Sequence, residues 1–298
     1  MGETGNMKTG KIMKVSGNPF RHSNKPITRV GLGGEGVLRT HGMPDEAEAV
    51  IMEAVVQGIT YYDSARVYKD SEIYLGRYWK DHPENREAIF HTSKSATRDR
   101  DGVLAELRQT LDRLNTSYLD LWQIHDVRDE KDLELISQKG GALEGFLEAK
   151  EMGLVRHIGV TGHHDPVILT RAVEQWPVDA VLMPVNPVEE ILGGFMTHTL
   201  EAAHKKGIVV IGMKILGGRH CIAEDLGITA GVLIRFALSH DISVGVVGCS
   251  TPDEVRELTE TGRQLTPLTH AEIKEITRPY EAQAARLAFY RGSVFNKP

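Results

Sequence analysis

Four side chains of complementary chemistry follow one another along the chain: the carboxylate of Asp63, the phenol of Tyr68, the ammonium of Lys94 and the imidazole of His125. Together they suit a reaction in which a carbonyl accepts hydride, because the oxygen then gathers negative charge and must be protonated. A phenol titrates near about 10, which makes its proton hard to remove in the reverse direction. A neighbouring Lys94 cation is expected to favour the phenolate and lower that value. Asp63 would hold Lys94 charged and aligned, while His125 could donate to the substrate oxygen and orient it. Singly, each residue also has a plain structural explanation: a turn for Asp63, packing for Tyr68, a solvated amine for Lys94, a hydrogen-bonded core imidazole for His125. It is their combination that points to proton-coupled hydride transfer. Hydrolysis finds no evident nucleophile in the set.

The elements that must position these groups show in the alternation of short β-rich runs with helical stripes. Candidate strands cover residues 28–32, 60–62, 88–92, 118–124, 157–160, 180–183, 209–213 and 242–247. Between them lie amphipathic segments, the clearest carrying Val103, Leu104, Leu107, Leu111 and Leu114 on one face. Eight such repeats in 298 residues predict a single α/β domain, a (β/α)₈ TIM barrel with parallel strands. In such barrels chemistry gathers at the C-terminal strand ends, and all four residues fall there. The expected organisation is an N-terminal extension over residues 1–26, capping the barrel bottom, and a barrel over 27–298 that includes a helical tail with a helix at 271–287. The run Gly31-Leu32-Gly33-Gly34-Glu35-Gly36 superficially resembles a dinucleotide fingerprint. No helix is expected to open there and no ribose-binding acid follows at the required place, so an open doubly wound sheet is rejected.

Composition narrows the class. A net charge of −6 leaves no footprint for nucleic acid. No run approaches the roughly 20 apolar residues of a membrane helix, and the N-terminus lacks the apolar core of a secretory signal. The two cysteines, Cys221 and Cys249, form no paired motif. A cytoplasmic enzyme acting on a small molecule is the expectation; a homo-oligomer is compatible with it.

The stretch GITYYDSARVYKDSEIYLG, followed by HTSKS and DLWQIHD, resembles the aldo-keto reductase superfamily, and the resemblance runs from about Thr28 to Thr259. The family's Asp, Tyr, Lys and His tetrad matches Asp63, Tyr68, Lys94 and His125. Gly58, Ser71, Glu72 and Gly76, then RHIGVTG and GMKILGG, fit family positions too. The resemblance implies the barrel fold, carbonyl reduction by NADPH and no metal, with the cofactor extended across the barrel mouth and its nicotinamide near Tyr68. Gly33, Gly34 and Asp63 are expected to border it. Departures from the family pattern affect how nicotinamide is held. Thr161-Gly162 stands where Ser-Asn is usual, followed by His163 as a loop cap over the cofactor. Leu182 replaces a Gln, with Asn186 as a nearby substitute, and Met213-Lys214 replaces an aromatic. For phosphates, Gly217-Gly218-Arg219 and the turn Gly248-Cys249-Ser250-Thr251 before a helix offer backbone N–H groups, although both also read as plain connecting turns. Glu254 lies where NADPH-preferring members carry a basic residue, Arg256 is the nearby cation able to compensate, and Glu257 matches an acid that contacts adenine. NADH is therefore expected to be usable beside NADPH.

His163 and His164 beside Asp165 invite a metal reading. Adjacent loop residues rarely point at one ion and no third ligand is identifiable in the sequence, so no metal is expected. Two other readings compete: a cofactor-holding binding module with little turnover, such as the potassium-channel β-subunits that resemble this family, and a barrel metalloenzyme acting on sugars. The second would need carboxylates at strand ends 5 to 8, which are nearly free of them. The substrate pocket is expected from the loops 127–140 and 217–227 and the tail 266–298; its substrate class beyond a small carbonyl compound is not encoded in any motif.

Overall fold

A computed structural model describes residues 19, 20 and 23–292. Eight parallel strands close into a barrel in sequence order: β1 (Val30–Gly36), β2 (Tyr61–Asp63), β3 (Phe90–Ser95), β4 (Leu119–Ile124), β5 (Val155–Thr161), β6 (Ala180–Pro184), β7 (Val209–Met213) and β8 (Val244–Cys249). Closure is made by β1 against β8, with Gly31 opposite Val246 and Leu32 opposite Val247. Helices alternate with the strands, and their apolar faces form a continuous layer around the barrel. The leucine stripe lies on the helix Arg100–Arg113, which starts at Asp99, whose carboxylate accepts the Gly102 N–H.

A second, smaller core fills the barrel interior with Tyr61, Phe90, Leu121, Ala180, Leu182, Ile211 and Val246 among others. Side chains alternate in and out along a strand. Two residues beyond the inward Tyr61 comes Asp63, four beyond Phe90 comes Lys94, and four beyond Leu121 comes His125. The interior is thus apolar below and charged at its C-terminal mouth. From the described part of the N-terminal extension, Phe20 is fully buried, its ring 4.6 Å from Phe90 and 4.9 Å from His157. Most of that extension lies outside the described residues.

Three elements differ from expectation. Strand β3 continues to Ser95, so Lys94 is a strand residue with 1% exposure and no contact with bulk water as a free amine. The hydrophobic pattern stops at Phe90, but a barrel interior shields polar residues too when partners are supplied. Strand β1 runs past the expected end at Leu32 through the glycine run to Gly36, while no α-helix opens there, as expected. The tail helix is broken: an α-helix His270–Thr277, a 3₁₀ segment Arg278–Gln283 and a short helix Ala284–Leu287. Pro279 lies at the break, where its missing N–H and ring stop an α-helical ladder.

Candidate active site

Strand register brings the tetrad together. Asp63 ends β2 opposite Thr92, and Lys94 lies opposite Gln123 in β4, one turn of pleat below His125. The Lys94 ammonium donates to Asp63 Oδ2 at 2.6 Å and to the Ser64 carbonyl at 2.7 Å, while Thr92 Oγ1 donates to Asp63 Oδ1 at 2.8 Å. Both charges are buried, so the pair is stabilised by these hydrogen bonds where solvent is excluded. The Lys94 Nζ sits 4.9 Å from the centre of the Tyr68 ring, and the His125 ring meets Tyr68 edge-on at 5.7 Å. Arg98 braces the loop after β4, donating to the carbonyls of His125 and Asp126 and forking onto Asp132.

The protonation pattern corrects one expectation. Burial, then the Asp63 and Glu35 carboxylates, push the Tyr68 phenol well above its ordinary value of 10.0, with Arg39 pulling the other way. The Lys94 charge, paired with Asp63, is not among the main influences on it. Burial also lowers Lys94, opposed by Asp63. His125 is lowered to about 3 by burial and by the Lys94 charge, so its imidazole is neutral. At neutral pH the mouth therefore holds an intact phenol, a neutral imidazole and an ion pair: two hydrogen-bond donors set beside a fixed dipole.

A cavity of about 520 Å³ opens above the tetrad and extends to the start of the helix Pro252–Arg263. Of the residues singled out in the sequence, Gly33, Gly34, Asp63, Tyr68, Met213, Lys214, Gly218, Arg219, Gly248, Ser250, Glu254 and Glu257 line it. Leu182, Ile215 and Val246 form an apolar floor. Ile222, in the expected loop 217–227, also lines it, as do Thr229, Ala230 and Ile234, which were not anticipated; the last two belong to the helix Ala230–Leu238, which begins at the mouth. The signal available for them was that position after β7.

Gly34 is a close-approach glycine. A Cβ there would lie 2.8 Å from Tyr68 Cδ2 and 2.9 Å from the Asp63 carbonyl oxygen. Gly34→Ala should therefore displace Tyr68 and lower turnover by roughly 10-fold or more, since small misplacements of a reacting group are costly. Steady-state kinetics with a simple aldehyde would check this; unchanged kcat and KM would show that the ring adapts.

Other residues are engaged elsewhere. Asn186 caps the helix Pro187–Leu192 by accepting from Val188 and Glu189, and its amide donates to the Lys214 carbonyl and to Tyr290 Oη. All its hydrogen-bonding capacity is used, so it does not stand in for the missing Gln. The Thr161 hydroxyl accepts the Asp126 N–H at 2.8 Å and ties β5 to the loop after β4. Gly162 has its Cβ position blocked by the Val127 carbonyl at 3.0 Å, away from the cavity wall. Gly217 packs against Cys221. Thr251 caps the helix Pro252–Arg263, accepting from the Glu254 N–H. His163 points to Asp126 and to the Tyr290 carbonyl. These six residues are not part of the cavity wall. Arg256 is held by Glu53 and Asp253 on the outside, and Arg219 instead reaches the cavity, 3.2 Å from Glu254.

A closed eight-stranded barrel with an acid, phenol, ammonium and imidazole at its C-terminal mouth defines a class of proteins, and comparison with known proteins places the chain within it. The chain belongs to the Aldo/keto reductase family, whose profile matches residues 29–220. It is 29% identical over 249 residues to an aldo-keto reductase of Mycobacterium avium, spanning 79% of this chain and 84% of that protein. It is 27% identical over 164 residues to the methylglyoxal reductase DkgA of Escherichia coli, spanning 54% of this chain and 56%, about half, of that protein. Among solved structures, an aldo-keto reductase of Bacillus halodurans in its holo form shares the fold with a TM-score of 0.71 and 20% identity, covering 90% of this chain and 96% of that one. Membership of the family supports an oxidoreductase. Among the described residues no helix is long and apolar enough to cross a membrane.

Proposed function

We propose that the chain reduces small aldehydes or ketones to alcohols with a nicotinamide dinucleotide, Tyr68 delivering the proton to the carbonyl oxygen. The observation that carries this reading is the continuous cavity: it joins the Tyr68 phenol at one end to Glu254, Glu257 and the helix start at the other. Its apolar floor and glycine-lined walls fit an extended dinucleotide, which supplies the hydride when bound. The residues of the chain do the rest. Tyr68, held protonated by burial, donates as negative charge gathers on the carbonyl oxygen; neutral His125 donates a second hydrogen bond and fixes the direction of the carbonyl. Asp63 and Lys94, bonded to each other, hold a fixed dipole beside the phenol that needs no rearrangement during the reaction. The tail docks on the helix after β6 and does not line the cavity: Tyr290 Oη bonds Asn186 and Glu189, and Arg291 pairs with the buried Glu189. Quenching of reduced-nicotinamide fluorescence, followed by turnover of a panel of aldehydes, ketones and sugars that includes methylglyoxal, tests the reading. Binding without turnover of any carbonyl would replace it by a cofactor-holding module.

Discrimination between NADPH and NADH is expected to be weak. The Glu254 carboxylate accepts the Ser250 N–H at 2.6 Å and so occupies an anion position at the helix start. A further phosphate would meet that charge, and the nearest cation, Arg219, is already bonded to Glu254. Titration of each cofactor at fixed ionic strength should give dissociation constants within about 100-fold, or roughly 2.7 kcal/mol. A larger advantage for NADPH would mean that Arg219 leaves Glu254 for the phosphate.

A further inference from the structure

The sequence offers no third partner for the paired histidines after β5, but the fold provides one. Asp126, in the loop after β4, points its Oδ1 between them, 3.3 Å from His163 Nε2 and 3.4 Å from His164 Nδ1. The three donor atoms all lie within 4.8 Å of one another. We infer that Asp126, His163 and His164 form a mononuclear site for a divalent transition metal of the zinc class, beside the catalytic mouth and distinct from the reductase machinery.

Three features of the cluster support a cation over an ordinary hydrogen-bonded group. The first is tautomeric. His163 Nδ1 faces the Tyr290 carbonyl at 3.2 Å, and a carbonyl only accepts, so Nδ1 carries the hydrogen. In the neutral ring Nε2 then presents a lone pair to a carboxylate oxygen. Two lone pairs set face to face repel unless a cation lies between them. A metal-bound histidine that donates its other N–H to a backbone carbonyl has this same arrangement.

The second is the carboxylate. Arg128 holds Asp126 Oδ2 through two N–H groups at 2.8 and 2.6 Å, which aims Oδ1 at the histidines. Asp126 Oδ1 and His164 Nδ1 are nevertheless both buried without any hydrogen-bond partner. The cluster therefore contains preoriented donors that the protein itself leaves unsatisfied, which is costly unless something else binds them. The third is size. Ligand bonds of roughly 2.0–2.2 Å in a tetrahedron put the donors about 3.3–3.6 Å apart, and both measured separations from Asp126 fall in that interval. Two imidazoles with one carboxylate is a donor set that suits zinc and leaves a corner for water. The side chains keep 15–24% exposure, enough for an ion to enter.

The test uses the full chain, stripped with a chelator and equilibrated with Zn²⁺ by dialysis. Elemental analysis should find one ion retained per chain, and Co²⁺ substitution should give the intense visible bands of a tetrahedral ion. Asp126→Asn and the double variant His163→Ala/His164→Ala should each lose that ion and those bands. Arg128→Ala, whose side chain is solvent-facing and whose removal spares the fold, should weaken Zn²⁺ binding by roughly 10-fold or more, as loss of a group supporting a metal ligand does. Circular dichroism of the apo forms identifies any variant that has not folded, and Arg128→Ala then decides alone. Absence of a stoichiometric ion in the wild type, or equal Zn²⁺ affinity in wild type and Arg128→Ala, would overturn the site and leave a carboxylate–imidazole cluster without a metal.

Discussion

Tyr68→Phe is expected to lower carbonyl reduction by roughly 10²-fold or more, the usual contribution of a positioned general acid, while dinucleotide affinity stays near wild type. The substitution removes one oxygen and keeps the ring, so the packing of Tyr68 against Gly34, the contact with the Lys94 ammonium and the edge contact with His125 all persist. What disappears is the donor facing the cavity. The same proton assignment predicts the pH profile. The phenol is raised well above 10.0 and His125 is lowered to about 3, so neither changes charge between these limits. The kcat for reduction should stay level from the acid limit upward, and loss of activity should begin at high pH, where Lys94, itself lowered by burial, gives up its proton and, higher still, the phenol ionises. Stopped-flow reduction of a simple aldehyde, with fluorescence titration of the cofactor, measures both quantities. Turnover within a few-fold of wild type would remove Tyr68 from the role of acid.

Much of this arrangement was legible in the chain itself, for identifiable reasons. The tetrad could be found because its residue types are chemically specific and because each falls where a hydrophobic run ends. The barrel followed from eight repeats, with β7 placed at its observed bounds and the ends of the others within four residues of theirs. Where strands carry polar residues inward the pattern misleads: Lys94 looked like a residue beyond β3, yet it lies inside it, because the charged top of the barrel interior breaks the apolar alternation. Loop residues were harder still. Asn186 and Thr161 have side chains suited to a carboxamide, but both are committed to backbone groups of neighbouring loops. Asp126 was passed over as a metal partner because it is distant from His163 in sequence; only the pairing of β4 with β5 makes them neighbours. Partnerships across adjacent strands depend on loop geometry, which no local spacing encodes.

The burial of Lys94 leads to the second large effect. If the amine lay at a partly open mouth, as its position in the sequence suggests, Lys94→Met would damage catalysis and spare the fold. The structure predicts damage to both. Lys94 and Asp63 have side chains 0% and 5% exposed and are joined at 2.6 Å. Removing the cation leaves the Asp63 carboxylate buried with, among the described residues, only the Thr92 hydroxyl as a side-chain hydrogen-bond donor. Breaking a buried pair from one side typically costs about 3–5 kcal/mol, because the remaining charge is uncompensated. Thermal unfolding of Lys94→Met should therefore fall by roughly 10 °C. Removing both charges is a different matter: Asp63→Asn/Lys94→Met leaves no orphaned ion, and an apolar group of similar length can fill the space. The double variant should regain most of the lost stability, since the two effects are strongly coupled. Activity should not return with it, because the fixed dipole beside Tyr68 is gone in both variants. Calorimetry of the two single variants and the double variant, with aldehyde turnover measured on each, separates the contributions. Additive losses of stability would mean that the two groups do not act as a pair, and recovery of turnover in the double variant would mean that the ion pair serves the fold alone.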